Sequence, residues 1–186
     1  MNRNQKIAPE NPTTLETLFQ SHGFADFRWL APENIVVAQW VRMKCLFGCP
    51  EYGRNASCPP YAPAVPECER FFREYHRAVV FHIPHHCSIQ AYDEWARKIN
   101  RDLIKLERSV FLAGYQKAFM LLIDACNLCS KCSGDKVKCN NPKSSRPTVE
   151  ALAVDVYATV RNVDYPIQVL ASEQETMNRY ALLMVE

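Results

Sequence analysis

The sequence predicts an α/β fold: one domain over residues 1–186, with a mixed sheet covered by helices and two cysteine-rich metal-binding loops at strand ends. Three observations carry that expectation. Runs rich in Val, Ile, Leu and Phe alternate with segments whose apolar residues recur every three or four positions, the pattern of strands interleaved with amphipathic helices. The last two strand-like runs, Ile167–Leu170 and Ala181–Val185, lie too close together for a long parallel crossover, which makes the sheet mixed. Two of the strand-like runs also lead directly into cysteine loops, and the ends of strands are where sites collect in open sheets.

Each element has its own signal. Thr13–Gln20 reads as a short helix, and Asn34–Lys44, rich in Val and Ile, as a strand delivering Cys45 to its end. The stretch from Cys45 to Pro66 holds five prolines with Gly48 and Gly53, so a stiff irregular loop is expected. A short helix at Glu67–Glu74 precedes a strand at Ala78–Ile83, which Pro84 stops. Ser88 suits the N-cap of a long helix whose apolar stripe is Tyr92, Trp95, Ala96, Ile99, Leu103, Leu106 and Val110, with Gly114 just past its end. Ala118–Asp124 is a continuous apolar run, expected to be a buried central strand running into Cys126. Ser145 and Pro147 open a helix with Val149, Leu152, Ala153, Val156 and Val160 on one face. No internal repeat is present.

Composition narrows the function classes. With 48% hydrophobic and 23% charged residues and a net charge of +2, the chain is neither disordered nor basic enough to expect nucleic acid as a partner. No apolar run approaches bilayer length, so no membrane partner is expected either. Met1–Pro12 is polar and lacks the apolar stretch of a secretory signal, which favours a cytoplasmic location. Thiols there stay reduced, and the nine cysteines then read as ligands or redox groups rather than disulfides.

Cys126, Cys129, Cys132 and Cys139 form C-x2-C-x2-C-x6-C. A tightly turning loop of this kind can give one sulfur to each iron of a cubane, and C-x2-C-x2-C opens cluster-binding ferredoxin loops. A single zinc usually takes two C-x2-C pairs, a geometry this spacing permits without favouring. Six residues before the last cysteine and Asn140 after it depart from the ferredoxin pattern, making Cys139 the least secure ligand. Lys131, Lys136, Lys138, Lys143 and Arg146 against Asp135 give the loop a local charge of +4, suited to a negative cluster and an acidic partner or simply to a solvated surface.

Cys45, Cys49 and Cys58 are spaced x3 and x8, and proline follows the last two. Each Cys-Pro step restricts the backbone, so the chain itself directs the sulfurs towards a second metal site. If Cys68 or Cys87 completes the set, that site is closed; otherwise one position is open to water, substrate or a non-cysteine ligand. Cys68 reads equally well as a small buried hydrophobe. His82, His85, His86 and Cys87 crowd one strand end and offer further ligands or a proton donor, although polar loop chemistry explains them as well. Tyr52, Arg54 and Tyr61 could contact a substrate or shield the metal. No phosphate-binding glycine loop and no Ser-His-Asp or Cys-His pattern is recognisable.

The combination of CLFGCPEYGRNASCPPYAP, CNLCSKC with Cys139, and RPTVEALAVDVYATV resembles an uncharacterised bacterial and archaeal family of predicted metal-binding proteins, over about Val36 to Leu170. The resemblance implies metal binding through Cys45, Cys49, Cys58, Cys126, Cys129, Cys132 and Cys139, with Arg146, Glu150 and Asp155 as motif residues of unknown role. Cys68, Cys87 and the His82–His86 group lie outside it, as do Asn2–Pro32.

The sequence therefore leads to the expectation of an iron-sulfur protein. Cys126, Cys129, Cys132 and Cys139 would hold a [4Fe-4S] cluster, Cys45, Cys49 and Cys58 a second metal centre, and the task would be electron transfer with a redox partner protein. Two alternatives stand beside it: an enzyme using an open iron at the three-cysteine loop, and a zinc-stabilised interaction module.

Overall fold

The computed structural model describes residues 12–86, 91–172 and 175–186. Helices α1 (Pro12–Ser21), α2 (Gln39–Gly48), α3 (Val65–Arg73), α4 (Tyr92–Leu112) and α5 (Val156–Arg161) surround strands β1 (Phe27–Leu30), β2 (Ala78–His85), β3 (Phe119–Leu121) and β4 (Met177–Met184). The α/β expectation of a sheet covered by helices holds. Strand order is β1-β2-β4-β3, and all three strand pairs are antiparallel. The parallel component expected of a mixed sheet is confined, among the described residues, to one isolated bridge between Leu122 and Thr148.

Alternation along β2 explains why both sheet faces are covered. Val79, Phe81 and Ile83 face a cluster containing Leu15 and Phe19 of α1 with Leu103, Leu106 and Val110 of α4. Ala78 and Val80 face the opposite cluster, with Cys68 and Phe72 of α3 and Val160 of α5. A strand buried on both sides reads as a continuous apolar run, which is why β2 and β4 show little polar alternation. Phe81 and Phe19 are fully buried and meet edge to face, 5.2 Å between ring centroids.

Several boundaries differ from the sequence reading. Asn34–Lys44 is not a strand: its extended part makes only the bridge Val37–Val154, and α2 takes over from Gln39. Only Val41 of α2 is buried, so the helix lies on the surface and Cys45 sits on its last turn, not at a strand end. β2 runs through Pro84 to His85. His82 donates its N–H to Asp26 O on the β1 side, and Pro84, two residues on, faces the same side beyond the end of β1. The missing N–H of Pro84 therefore breaks no ladder bond.

β3 is buried as expected but terminal in the strand order, not central. Its edge is covered by the chain leaving the second cysteine loop, where Leu122 donates its N–H to Pro147 O at 2.9 Å. The helix expected after Ser145 is split into a 3-10 turn at Glu150–Leu152 and α5. Ala153 adopts a left-handed backbone (φ 61°) and Val154 pairs with Val37, so the apolar stripe is buried through a break. Ile167–Leu170 is irregular, whereas Ala181–Val185 coincides with the end of β4. Gly114 follows α4 with φ 106°, as its position suggested. Ser88 lies outside the described residues. Among the described residues no helix is long and apolar enough to cross a membrane.

Candidate metal centre

The first cysteine loop is built from successive tight turns. Cys49 caps α2 by donating its N–H to Cys45 O at 3.3 Å; Tyr52 then donates to Cys49 O, Cys58 to Asn55 O and Tyr61 to Cys58 O. Gly53, at φ 70°, reverses the chain and donates to Pro59 O at 2.8 Å. Cys45 and Cys49 thus stand one helical turn apart, and Cys58 is carried back beneath them, buried. Arg42 ties the assembly down, with Nη2 donating to Pro63 O at 3.0 Å and to Ala151 O at 2.9 Å.

The three thiols line a cavity of about 220 Å³ together with Glu51, Tyr52, Asp124, Thr148, Glu150 and Arg179, among other residues. Burial, reinforced by Cys49, Glu51, Cys45 and Cys126, pushes the Cys58 thiol up to about 12. Burial and Cys49 raise Cys45 as well, in spite of nearby Arg42. Burial likewise raises the Glu150 carboxyl against a Thr148 hydrogen bond and the charge of Arg179. Burial thus favours the neutral form of each group, and a metal taking them as anionic ligands would displace their protons.

The second loop, from Cys126 to Cys139, is held by α4: Arg97 Nε donates to Asn127 O at 3.1 Å, and Asn100 Nδ2 to Asn127 Oδ1 at 3.1 Å. Two of its sulfurs accept hydrogen bonds. Asn141 Nδ2 donates to Cys129 Sγ at 2.9 Å, and the Ala56 N–H donates to Cys132 Sγ at 3.4 Å. Donors aimed at sulfur favour the thiolate, the form that binds metal.

Ala56 belongs to the first loop, and the two loops meet at several points. Asn55 Nδ2 donates to Cys126 O at 2.9 Å, and the hydroxyls of Ser57 and Ser145 lie 2.5 Å apart. At Gly134 (φ 68°) a Cβ would come within 3.2 Å of Arg54 O. All seven cysteines therefore belong to one packed pair of loops, though not to one point. Among the described residues, no three His, Cys, Asp or Glu side chains converge on a single ion position. Metal binding by either set requires these side chains to move together from the positions seen. The donor chemistry fits: seven free thiols, sulfur-directed N–H groups and no disulfide among the described cysteines.

The other sequence candidates separate cleanly. Cys68 is fully buried in the hydrophobic core, with Sγ 3.6 Å from Pro63 O, and does not line the thiol cavity. His82 bonds Asp26 and Asn178, and His86 bonds Thr176. His85 is 3% exposed, packs on Trp95 at 4.4 Å and has no hydrogen-bond partner for either ring nitrogen among the described residues. None of these histidines lines the thiol cavity, and Cys87 lies outside the described residues. Tyr52 lines that cavity, Arg54 contributes its carbonyl to the Gly134 contact, and Tyr61 is exposed.

Arg146 is not a free cation of the basic loop. Its guanidinium bonds both carboxylate oxygens of buried Glu107, with Nε–Oε2 at 2.9 Å, and Glu107 Oε2 also accepts from the Met120 N–H. Lys131, Lys136, Lys138 and Lys143 are exposed, with Lys138 3.5 Å from Asp135. Asp155 caps α5, accepting from the Ala158 N–H at 3.0 Å. Asp124 and Arg179 were missed by the sequence reading: neither lies in a cysteine motif, and only the fold brings them to the thiols.

A protein-family model described as "Predicted metal-binding protein (DUF2284)" matches residues 28–185. The chain belongs to this family. No curated protein and no solved structure matches it. The family description supports metal binding without specifying the metal, and its span includes both cysteine loops.

Proposed function

We propose that the protein is an iron-sulfur protein of electron transfer, with a [4Fe-4S] cluster on Cys126, Cys129, Cys132 and Cys139 and a second centre on Cys45, Cys49 and Cys58. The observation that carries this reading is the contact between the loops, in which the first loop donates its Ala56 N–H to a sulfur of the second. Centres held by these loops would be neighbours, as electron passage between them requires. The spacing of the second loop supports a cluster, because its sulfurs follow one another along a turning chain and suit several irons better than one ion. Exposed Lys131, Lys136, Lys138 and Lys143 around that loop favour an acidic redox partner.

A second reading makes the first centre catalytic. The cavity beside Cys45, Cys49 and Cys58 also has Asp124, Arg179 and Tyr52 in its lining, polar groups that can orient a small substrate. An iron there would supply a Lewis acid, and these residues would bind and orient.

Iron and acid-labile sulfide, measured on anaerobically purified protein, test both readings together. Brown protein with iron and sulfide in near-equal amounts is expected. Colourless protein holding zinc alone would replace both readings with the zinc-stabilised module.

A further inference from the structure

Two of the cavities among the described residues are lined by thiols of the first cysteine loop, and only three residues line both: Cys45, Cys49 and Glu150. One is the small cavity that also reaches Cys58; the other is an open groove of about 710 Å³ bordered by Trp40, Phe47 and Tyr157. Glu150 is half-buried and stands between these spaces together with two of the three thiols.

Its position is fixed by the backbone around it. Arg42 of α2 donates to Ala151 O, Ala38 donates its N–H to Ala153 O at 2.8 Å, and Val37 bridges to Val154. The turn bearing Glu150 is thus tied to the helix bearing Cys45. The other two acids of the small cavity, Glu51 and Asp124, do not line the groove. Cys68 lines neither space.

We propose that Glu150 supplies the fourth ligand of the first metal centre, a carboxylate oxygen completing the three thiolates of Cys45, Cys49 and Cys58. The inference rests on the first centre proposed above and goes beyond it by assigning the open position. A carboxylate is a harder and more readily exchanged donor to iron than a thiolate, so the iron it holds is the one an incoming ligand reaches from the groove.

The test uses the whole protein reconstituted anaerobically with iron and sulfide. Iron release to a chelator and the paramagnetic spectrum of the reduced protein are followed for Glu150→Gln, Glu150→Cys, Asp124→Asn and Cys45→Ser. Glu150→Gln is expected to lose iron from one centre about tenfold faster or more. Glu150→Cys is expected to restore retention with a changed spectrum, and Asp124→Asn to retain iron. Wild-type retention and spectrum in Glu150→Gln, alongside loss in Cys45→Ser, would overturn the ligand assignment while leaving the first centre standing. Equal losses in Asp124→Asn and Glu150→Gln would also overturn it, since cavity charge alone would then account for the effect. Unchanged metal in Cys45→Ser would remove the first centre itself, and Glu150's role with it.

Discussion

The two cysteine loops solve the same problem by different means. The first is shaped by its own backbone, through consecutive turns, Gly53 and the cap of α2, and it buries Cys58. The second closes fewer backbone bonds of its own, Cys139 N–H to Lys136 O among them, and leans more on the side chains of Arg97 and Asn100 on α4 and on the Arg146–Glu107 pair at its exit. A loop that closes its own hydrogen bonds keeps its form when emptied, whereas one tethered by a few side chains depends on each of them. The first loop should therefore be the stiffer of the two without metal.

Separate removal of the thiols makes the largest break in this comparison. Replacing Cys126, Cys129 and Cys132 by Ser is expected to abolish one centre and to raise amide exchange throughout the loop from Cys126 to Cys139. The same treatment of Cys45, Cys49 and Cys58 should abolish the other centre with little change in exchange. Iron analysis and hydrogen-exchange mass spectrometry read both outcomes.

Arg146→Ala comes next, because it leaves the buried Glu107 carboxylate unpaired. A loss of about 3–5 kcal/mol is expected by urea unfolding, with faster exchange in the second loop and not the first. Asn55→Ala should cost about 1–3 kcal/mol by removing a bond that joins the loops, and a similar exchange change on both sides would show the coupling. Gly134→Ala should cost about 1–2 kcal/mol, since its left-handed backbone disfavours a Cβ and Arg54 O stands in the way.

The smallest effect is a control at a residue that does not line the thiol cavity. Burial raises the Asp26 carboxyl, but hydrogen bonds from Tyr165 and His82 and the charges of His82 and Arg28 outweigh it and hold the group below 3.8. A carboxyl lowered by folding stabilises the protein above its unfolded value and loses that contribution as pH falls through the folded one. Asp26→Asn should therefore flatten the dependence of the urea midpoint on pH below about 4, within a few tenths of a molar, and leave iron content unchanged.

Sequence patterning recovered what depends on local periodicity: α1, α3, the long stripe of α4, and the apolar runs of β2 and β3. It misjudged positions set by distant partners. Whether Ile35–Val37 forms a strand depends on what lies alongside, and among the described residues the segment makes only the single bridge Val37–Val154. Whether Pro84 ends β2 depends on where β1 stops. The site followed the same rule. The cysteines announced themselves by spacing, but the neighbourhood of Asp124 and Arg179 is made by tertiary contact, and no motif records it. Glu150 and Asp155 share one short stretch of chain, yet one lines the thiol cavity and the other caps α5, a distinction visible only once Ala153 is seen to reverse the backbone between them.

β4, the last strand in chain order, lies between β2 and β3. During synthesis β3 has no strand partner, and β2 has only β1, until residues 177–184 emerge, while both cysteine loops have already been made. The thiols thus leave the ribosome ahead of the strand that joins β2 to β3 and completes their scaffold.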